Sequence, residues 1–233
     1  MRLFKASGRG ERNHGWLKTN HSFSFADFYE PSLLSFGALL VLNDDTVAPG
    51  RGFGMHPHKN MEIITIPMTG ALRHEDSLGN SATVKAGEVQ LMSAGTGVVH
   101  SEMNASETEP VHLFQIWIVP NMQNVPPRYE QKAFTLIPNA LTSVISPTGE
   151  NDTFRIYQNA YLALGSYEKP ASETYKTHSE ANGVYLFVIE GEVTMSGYEL
   201  EARDAVGISE AGEVSFMTNG PTKVLFIEVP LVS

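Results

Sequence analysis

The sequence predicts an all-β chain, and three features carry that expectation. Short apolar runs rich in β-branched and aromatic residues recur along it. Gly, Asn, Asp and Pro punctuate those runs every several residues, and helical periodicity is scarce. Runs of this length suit strands, so the residues alone point to a β-sandwich or barrel.

The elements follow in chain order. "FGALLVLN" (36–43) and "MEIITIPM" (61–68) read as buried strands, and "EDSLGNSATV" (75–84) as a hairpin turning at Gly79-Asn80. "HLFQIWIVP" (112–120) is a third apolar strand, opened by His112, which reads as a packed or edge histidine. Phe23 and Phe25 alternate with Ser22 and Ser24, the pattern of a half-buried strand. Between 121 and 150, "NMQNVPPRYEQKAF" and "SPTGEND" gather Pro, Asn and Gly, and the apolar pattern lapses, which suggests a domain boundary. "GVYLFVIEG" (183–191) and "KVLFIEVP" (223–230) resume it.

The two halves look like copies of one β unit. "ITIPMTGALRH" (64–74) resembles "LFVIEGEVTMS" (186–196) with Gly70 matched to Gly191, and "AGEVQLMSAG" (86–95) resembles "RDAVGISEAG" (203–212).

Composition removes several function classes. Sixteen basic against twenty-six acidic residues leave a formal charge of −10, which argues against nucleic acid or an anionic membrane as direct partner. The absence of cysteine excludes disulfides and thiolate metal sites, so a metal must use imidazole, carboxylate or water. "MRLFKASGRG" leads into no apolar signal core, and no run reaches the roughly 20 apolar residues of a membrane span. The expected location is cytoplasmic.

Two short patterns carry chemistry. Side chains at i and i+2 of a strand share a face, so His56 and His58 project together, and so do His100 and Glu102. One H-x-H alone is more often a pair of ordinary surface imidazoles; a second such pair, in a chain of eight histidines, changes the balance. Three imidazoles and a carboxylate at one point suit a divalent first-row transition metal with positions left open. Glycines flank both pairs, at 50, 52 and 54 and at 95 and 97, where they permit close backbone approach. His14, His21 and His74 sit in polar or turn-like sequence with no ligand partner, while Phe53 and Met55 either line the entrance or fill the interior. No nucleophile triad, P-loop or dinucleotide fingerprint competes, and "GRGERNHG" precedes no strand–helix unit.

"HPHKNMEIITIPMTG" followed by "GEVQLMSAGTGVVHSEMN" resembles the paired cupin motifs in the form found in the pirin family, and "HGWLKTNHSFSFADFYEP" (14–31) resembles the pirin opening. The resemblance spans nearly the whole chain and is close to bacterial pirin-like quercetinases. It implies a bicupin of two face-to-face β-barrels: an N-terminal metal-binding cupin domain, 1–135, and a C-terminal cupin domain lacking metal ligands, 136–233. It implies His56, His58, His100 and Glu102 as the metal ligands. Glu62 matches the carboxylate position of the general cupin motif, and Glu102, paired with His100, is favoured as ligand over it. Counting from Gly191 and Gly212 sets Thr177, Ser179, Met217 and Asn219 where the first copy has its ligands.

The activity implied is dioxygenase cleavage of a flavonol such as quercetin with O2, with Glu102 as general base. Iron is the expected metal, with nickel, manganese, copper and zinc open from the same donors. A second reading is a metal-dependent regulatory module of the pirin type that meets a protein partner without turnover. A third is another small-molecule cupin reaction, such as isomerisation, because a fold does not select a reaction.

Overall fold

The computed structural model describes residues 1–209 and 212–231. Among them the chain divides into two compact units. The N-terminal unit comprises Gly10–Ser35 and Leu39–Phe134; the C-terminal unit comprises Met1–Arg9, Phe36–Ala38 and the chain from Thr135 on. A single cut at 135/136 is therefore too simple. Residues 2–4 pair antiparallel with 205–207, and Ala38 donates its backbone N–H to the Pro230 carbonyl.

In chain order the strands are β1 (Arg2–Phe4), β2 (Gly10–Asn13), β3 (Leu17–His21), β4 (Leu39–Val47), β5 (Gly52–His58), β6 (Glu62–Thr69), β7 (Ala71–Asp76) and β8 (Ser81–Lys85). They continue with β9 (Glu88–Ser93), β10 (Val98–Asn104), β11 (Val111–Ile118), β12 (Arg128–Ala133), β13 (Ala140–Ser146), β14 (Phe154–Arg155) and β15 (Tyr161–Tyr167). The last are β16 (Ala171–Lys176), β17 (Asn182–Glu190), β18 (Val193–Met195), β19 (Tyr198–Leu200), β20 (Ala205–Ile208), β21 (Glu213–Thr218) and β22 (Thr222–Pro230).

Each unit holds a seven-stranded and a four-stranded sheet. The N-terminal unit orders them β12-β9-β6-β11-β4-β3-β2 and β5-β10-β7-β8; the C-terminal unit orders them β1-β20-β17-β22-β15-β13-β14 and β16-β21-β18-β19. The five inner strands of the large sheets and all four of the small ones correspond in order, and even a bulge recurs: β6 skips a residue against β11 just before Gly70, as β17 does against β22 just before Gly191. Both glycines have positive φ, 74° and 80°, at the turn into the four-stranded sheet, a conformation a Cβ resists. Ala211, half of the Ala-Gly pair matched in the second copy, lies outside the described residues.

The layers pack through apolar side chains. Leu72 of β7 meets Val47, Val111 and Leu113 across the N-terminal unit. Val193, Val214 and Phe216 meet Leu186, Val224 and Phe226 across the C-terminal unit. Burial of each such side chain is worth about 1.5–3 kcal/mol. The all-β class stands. Closed barrels do not appear, because hydrogen bonding closes none of the four sheets among the described residues.

Local readings fare unevenly. Residues 71–76 and 81–85 form the expected hairpin, with Gly79 at φ 90° in its turn. The 121–150 stretch is not a bare linker, since Arg128–Ala133 adds an edge strand against β9. Phe23 and Phe25 lie beyond the end of β3, where the Phe25–Phe28 bridge turns the chain; Phe23 is buried. His112 sits on its strand against the Asp44 carboxylate, Nε2 to Oδ1 at 2.5 Å.

Candidate metal centre

The two histidine patterns meet on the four-stranded sheet of the N-terminal unit. β5 and β10 run antiparallel with His56 opposite His100 and His58 opposite Val98. The register slips between His100 and Glu102, so that Glu102 faces Phe53. The strands can approach because Gly52 lacks a side chain: a Cβ there would sit 2.2 Å from the Glu102 carbonyl oxygen.

Three imidazoles converge. Ring centroids lie 4.8 Å apart for His56–His58, 4.4 Å for His56–His100 and 4.9 Å for His58–His100. One nitrogen from each lies within 4.8 Å of the others, a set able to hold a metal ion. His56 Nδ1 donates to the Gly54 carbonyl at 2.7 Å, which leaves the Nε2 lone pair available. His100 Nε2 is buried without a hydrogen-bond partner. A buried polar atom left alone is costly; a cation there would satisfy it. Burial, then the neighbouring His56, lowers the His58 pKa to about 4. Burial, then His56, His58 and His74, lowers that of His100 to about 3. Both rings are thus neutral near pH 7, as ligation requires.

Glu102 joins this set through His100. It groups with His100 and His74, with donor atoms again within 4.8 Å, rather than with His56 and His58. Its carboxylate is buried and well held. Thr65 Oγ1 and Gln90 Nε2 each donate to Oε1 at 3.1 Å, and Gln115 Nε2 donates to Oε2 at 2.5 Å. Glu62 belongs to neither group; it is buried and accepts from Ser93 Oγ at 2.8 Å.

Some readings need correction. His74 is fully buried between Asp76, His100 and the Tyr129 ring, not in turn-like surroundings, because β7 turns it inward opposite Glu102. His21 is buried too, and its Nδ1 donates to Asn43 Oδ1 at 2.8 Å. Thr65, Gln90 and Gln115 escaped notice, although each is a polar residue inside an apolar strand, a pattern that flags a buried hydrogen-bonding role.

A cavity of about 230 Å³ opens onto the imidazoles. Phe25, Phe53, Ile63 and Trp117 form its apolar walls, and Thr19, His21, Asn43, Asp45 and Gln115 bring polar groups to it. Trp117 stands edge-on to His58 at 4.9 Å and to Phe25 at 5.2 Å. Met55 is 61% exposed and does not line it.

The same positions of the C-terminal unit hold different residues. The pairing that sets His56 opposite His100 sets Tyr175 opposite Val214 there, and Glu102 corresponds to Phe216. His58 corresponds to Thr177, whose backbone N–H bonds the Gly212 carbonyl. The count along the chain, which gave Thr177, Ser179, Met217 and Asn219, slipped because loop lengths differ: five residues join β16 to β17 against three from β5 to β6. Val214 also follows Val206 by eight positions, where His100 follows Gln90, the counterpart of Val206, by ten. Met217 is half exposed and faces outward.

Comparison with known proteins follows the same division. The Pirin family pattern matches residues 3–118, and that of the quercetinase C-terminal cupin domain matches residues 143–229. The chain is 40% identical over 230 residues to quercetin 2,3-dioxygenase of Escherichia coli K12, covering 99% of each. The crystal structure of YhhW from Escherichia coli superposes with a TM-score of 0.95 at 40% identity, covering 99% of this chain and 98% of that one. The bacterial pirin YhhW in complex with nickel(II) superposes at 0.94 with 40% identity, covering 99% of each chain.

Proposed function

The chain belongs to the pirin family, and on that premise we propose that it is an oxidoreductase of the quercetin 2,3-dioxygenase type. In this reading it cleaves a flavonol with O2 at one divalent metal held by His56, His58, His100 and Glu102. The observation that carries it is the buried, partnerless Nε2 of His100, beside two further imidazoles at an aromatic-walled cavity. The relative's nickel complex supports a divalent ion of this kind. Iron is the proposed physiological metal, and metal analysis of the purified protein decides between it and nickel.

A bound ion supplies Lewis-acid stabilisation of an enolate oxygen. The protein's own residues supply the rest. Phe25, Phe53 and Trp117 hold a flat aromatic substrate, while Thr19, Asn43 and Asp45 meet its hydroxyl groups. Glu102 takes the proton of the enolic hydroxyl, and Gln115, Gln90 and Thr65 keep its carboxylate oriented for that transfer. The flavonol anion then reacts with O2; its heterocycle opens and carbon monoxide leaves. We further propose a bicupin organisation in which the C-terminal unit forms a cupin domain without metal ligands, and a cytoplasmic location.

The test is aerobic incubation of metal-assayed protein with quercetin, following loss of its visible absorption and release of carbon monoxide. Turnover that disappears on chelation and in His56→Ala supports the enzyme. Bound metal without consumption of any of several flavonols overturns it in favour of a metal-dependent protein-interaction module.

A further inference from the structure

A second buried chain of groups leads into the same imidazole cluster from behind. Asp76 ends β7, and its side chain is completely buried. Its carboxylate is surrounded by donors: the backbone N–H groups of Leu78 and Asn80 reach Oδ1 at 2.9 and 3.0 Å, and Asn80 Nδ2 reaches Oδ2 at 2.8 Å. His74 Nε2 stands 3.0 Å from the same Oδ2. A carboxylate only accepts, so His74 carries its hydrogen on Nε2. A neutral ring then has an acceptor at Nδ1, and His74 Nδ1 lies 3.4 Å from His100 Nδ1. That contact requires the hydrogen of His100 on Nδ1. The lone pair of His100 is left on Nε2, the buried atom that has no partner, on the ring that groups with the other two imidazoles. Tyr129 stacks on His74 at 4.5 Å between centroids, and fixes the plane of the middle ring.

We propose that Asp76 and His74 form a positioning relay that dictates the tautomer and orientation of His100, so that its Nε2 is offered to the metal before any ion arrives. Neither relay residue touches metal or substrate in this arrangement; both act through His100. Pre-setting the donor removes a reorganisation that binding would otherwise have to drive, which is the usual role of carboxylates behind metal-binding histidines. The inserted second imidazole follows from register. β10 pairs with β7 so that Asp76 lies opposite His100 and His74 opposite Glu102, and His74 is the ring that spans the offset.

The inference rests on the metal reading above, and its test separates the two. Metal-stripped full-length protein, labelled with nitrogen-15 histidine, is read by two-bond proton–nitrogen correlation at pH 7.5, with assignment by single histidine variants. The expected pattern is an Nδ1–H tautomer for His100 and an Nε2–H tautomer for His74. Asp76→Asn, which offers an amide hydrogen to His74 Nε2, is expected to shift His100 toward Nε2–H. It should also weaken nickel(II) binding about 10–100-fold. His74→Phe keeps the stacking surface for Tyr129 and should lose nickel affinity to a similar degree; circular dichroism checks that each variant is folded. A wild-type His100 protonated on Nε2 overturns the proposal even if neither Asp76→Asn nor His74→Phe folds. So does an Asp76→Asn protein that folds and keeps wild-type tautomer and affinity. Failure to consume flavonol, by contrast, overturns the proposed activity and leaves the tautomer result standing.

Discussion

The two units share a sheet plan and differ in what fills it. In the N-terminal unit, Thr65, Gln90, Gln115 and Glu102 form a buried polar network around the imidazoles. At the same register positions the C-terminal unit has Leu186, Val206, Phe226 and Phe216, all members of one apolar cluster. Asn43 and Asp45, which line the cavity, correspond to Ala163 and Gly165. At these positions one interior is filled by hydrocarbon and the other keeps space and donors. A packed apolar interior gains stability from every methylene, whereas a buried polar set breaks even only when each member is paired. The C-terminal unit is built for stability and the N-terminal unit for a site.

The contrast has its largest expected consequence at Phe226 and Gln115, which occupy matching positions. Phe226→Ala should cost about 3–5 kcal/mol in urea unfolding, from lost burial plus a cavity. Gln115→Ala should cost less stability and show its effect on metal binding and turnover. Equal losses of stability would mean that the two interiors do the same work.

His100→Ala comes next. Nickel affinity should fall by more than the roughly 10–100-fold expected for a supporting residue, while the stability of the metal-free protein stays level or rises. A titration followed by absorbance, with unfolding of the stripped protein, checks both halves. Val214→Ala, at the register position of His100, should leave nickel affinity unchanged.

Gln115→Leu keeps the volume and removes one donor from Glu102. Because a hydrogen bond to a charged group is worth about 1.5–3 kcal/mol, flavonol turnover should drop about 10–100-fold with the cavity intact. Unchanged turnover would detach Glu102 from the proposed proton transfer.

The smallest effect concerns the join between the start of the chain and the rest of the C-terminal unit. Burial pushes the Asp204 carboxyl up, but hydrogen bonds from Lys5, Ala6 and Glu201 outweigh it and hold the pKa below the usual carboxylate value. A depressed folded pKa gives stability that is complete above the unfolded pKa and lost as pH falls through the folded one. Asp204→Asn should therefore be less stable at neutral pH by about 1 kcal/mol, since the half-exposed Lys5 is screened by solvent. The gap should begin to narrow below about pH 4. Urea midpoints at pH 7 and pH 3.5 measure it.

Much of the site was legible because strand geometry is local. Alternation alone says that His56 and His58 share a face, and that His100 and Glu102 do. Gly52 and Gly95 also behave as read: a Cβ on Gly95 would sit 2.0 Å from the Val125 carbonyl oxygen. The misreadings arose where the answer depends on a partner far along the chain. His74 looks like a turn histidine until β10 is laid beside β7. The second unit's counterparts of the proposed ligands were misassigned because loop length intervenes between a glycine landmark and the strands on either side of it.

The amino-acid sequence by itself determined the all-β class, the duplicated plan and the pairs of donors that project together, because each follows from a two-residue period and from turn chemistry within a few residues. Tertiary structure alone decided that the three imidazoles meet and that Glu102 enters their company through His100. It also decided that Asp76 and His74 stand behind the cluster. Those facts depend on strand register, and register is settled by burial and hydrogen bonding between segments that the chain holds tens of residues apart.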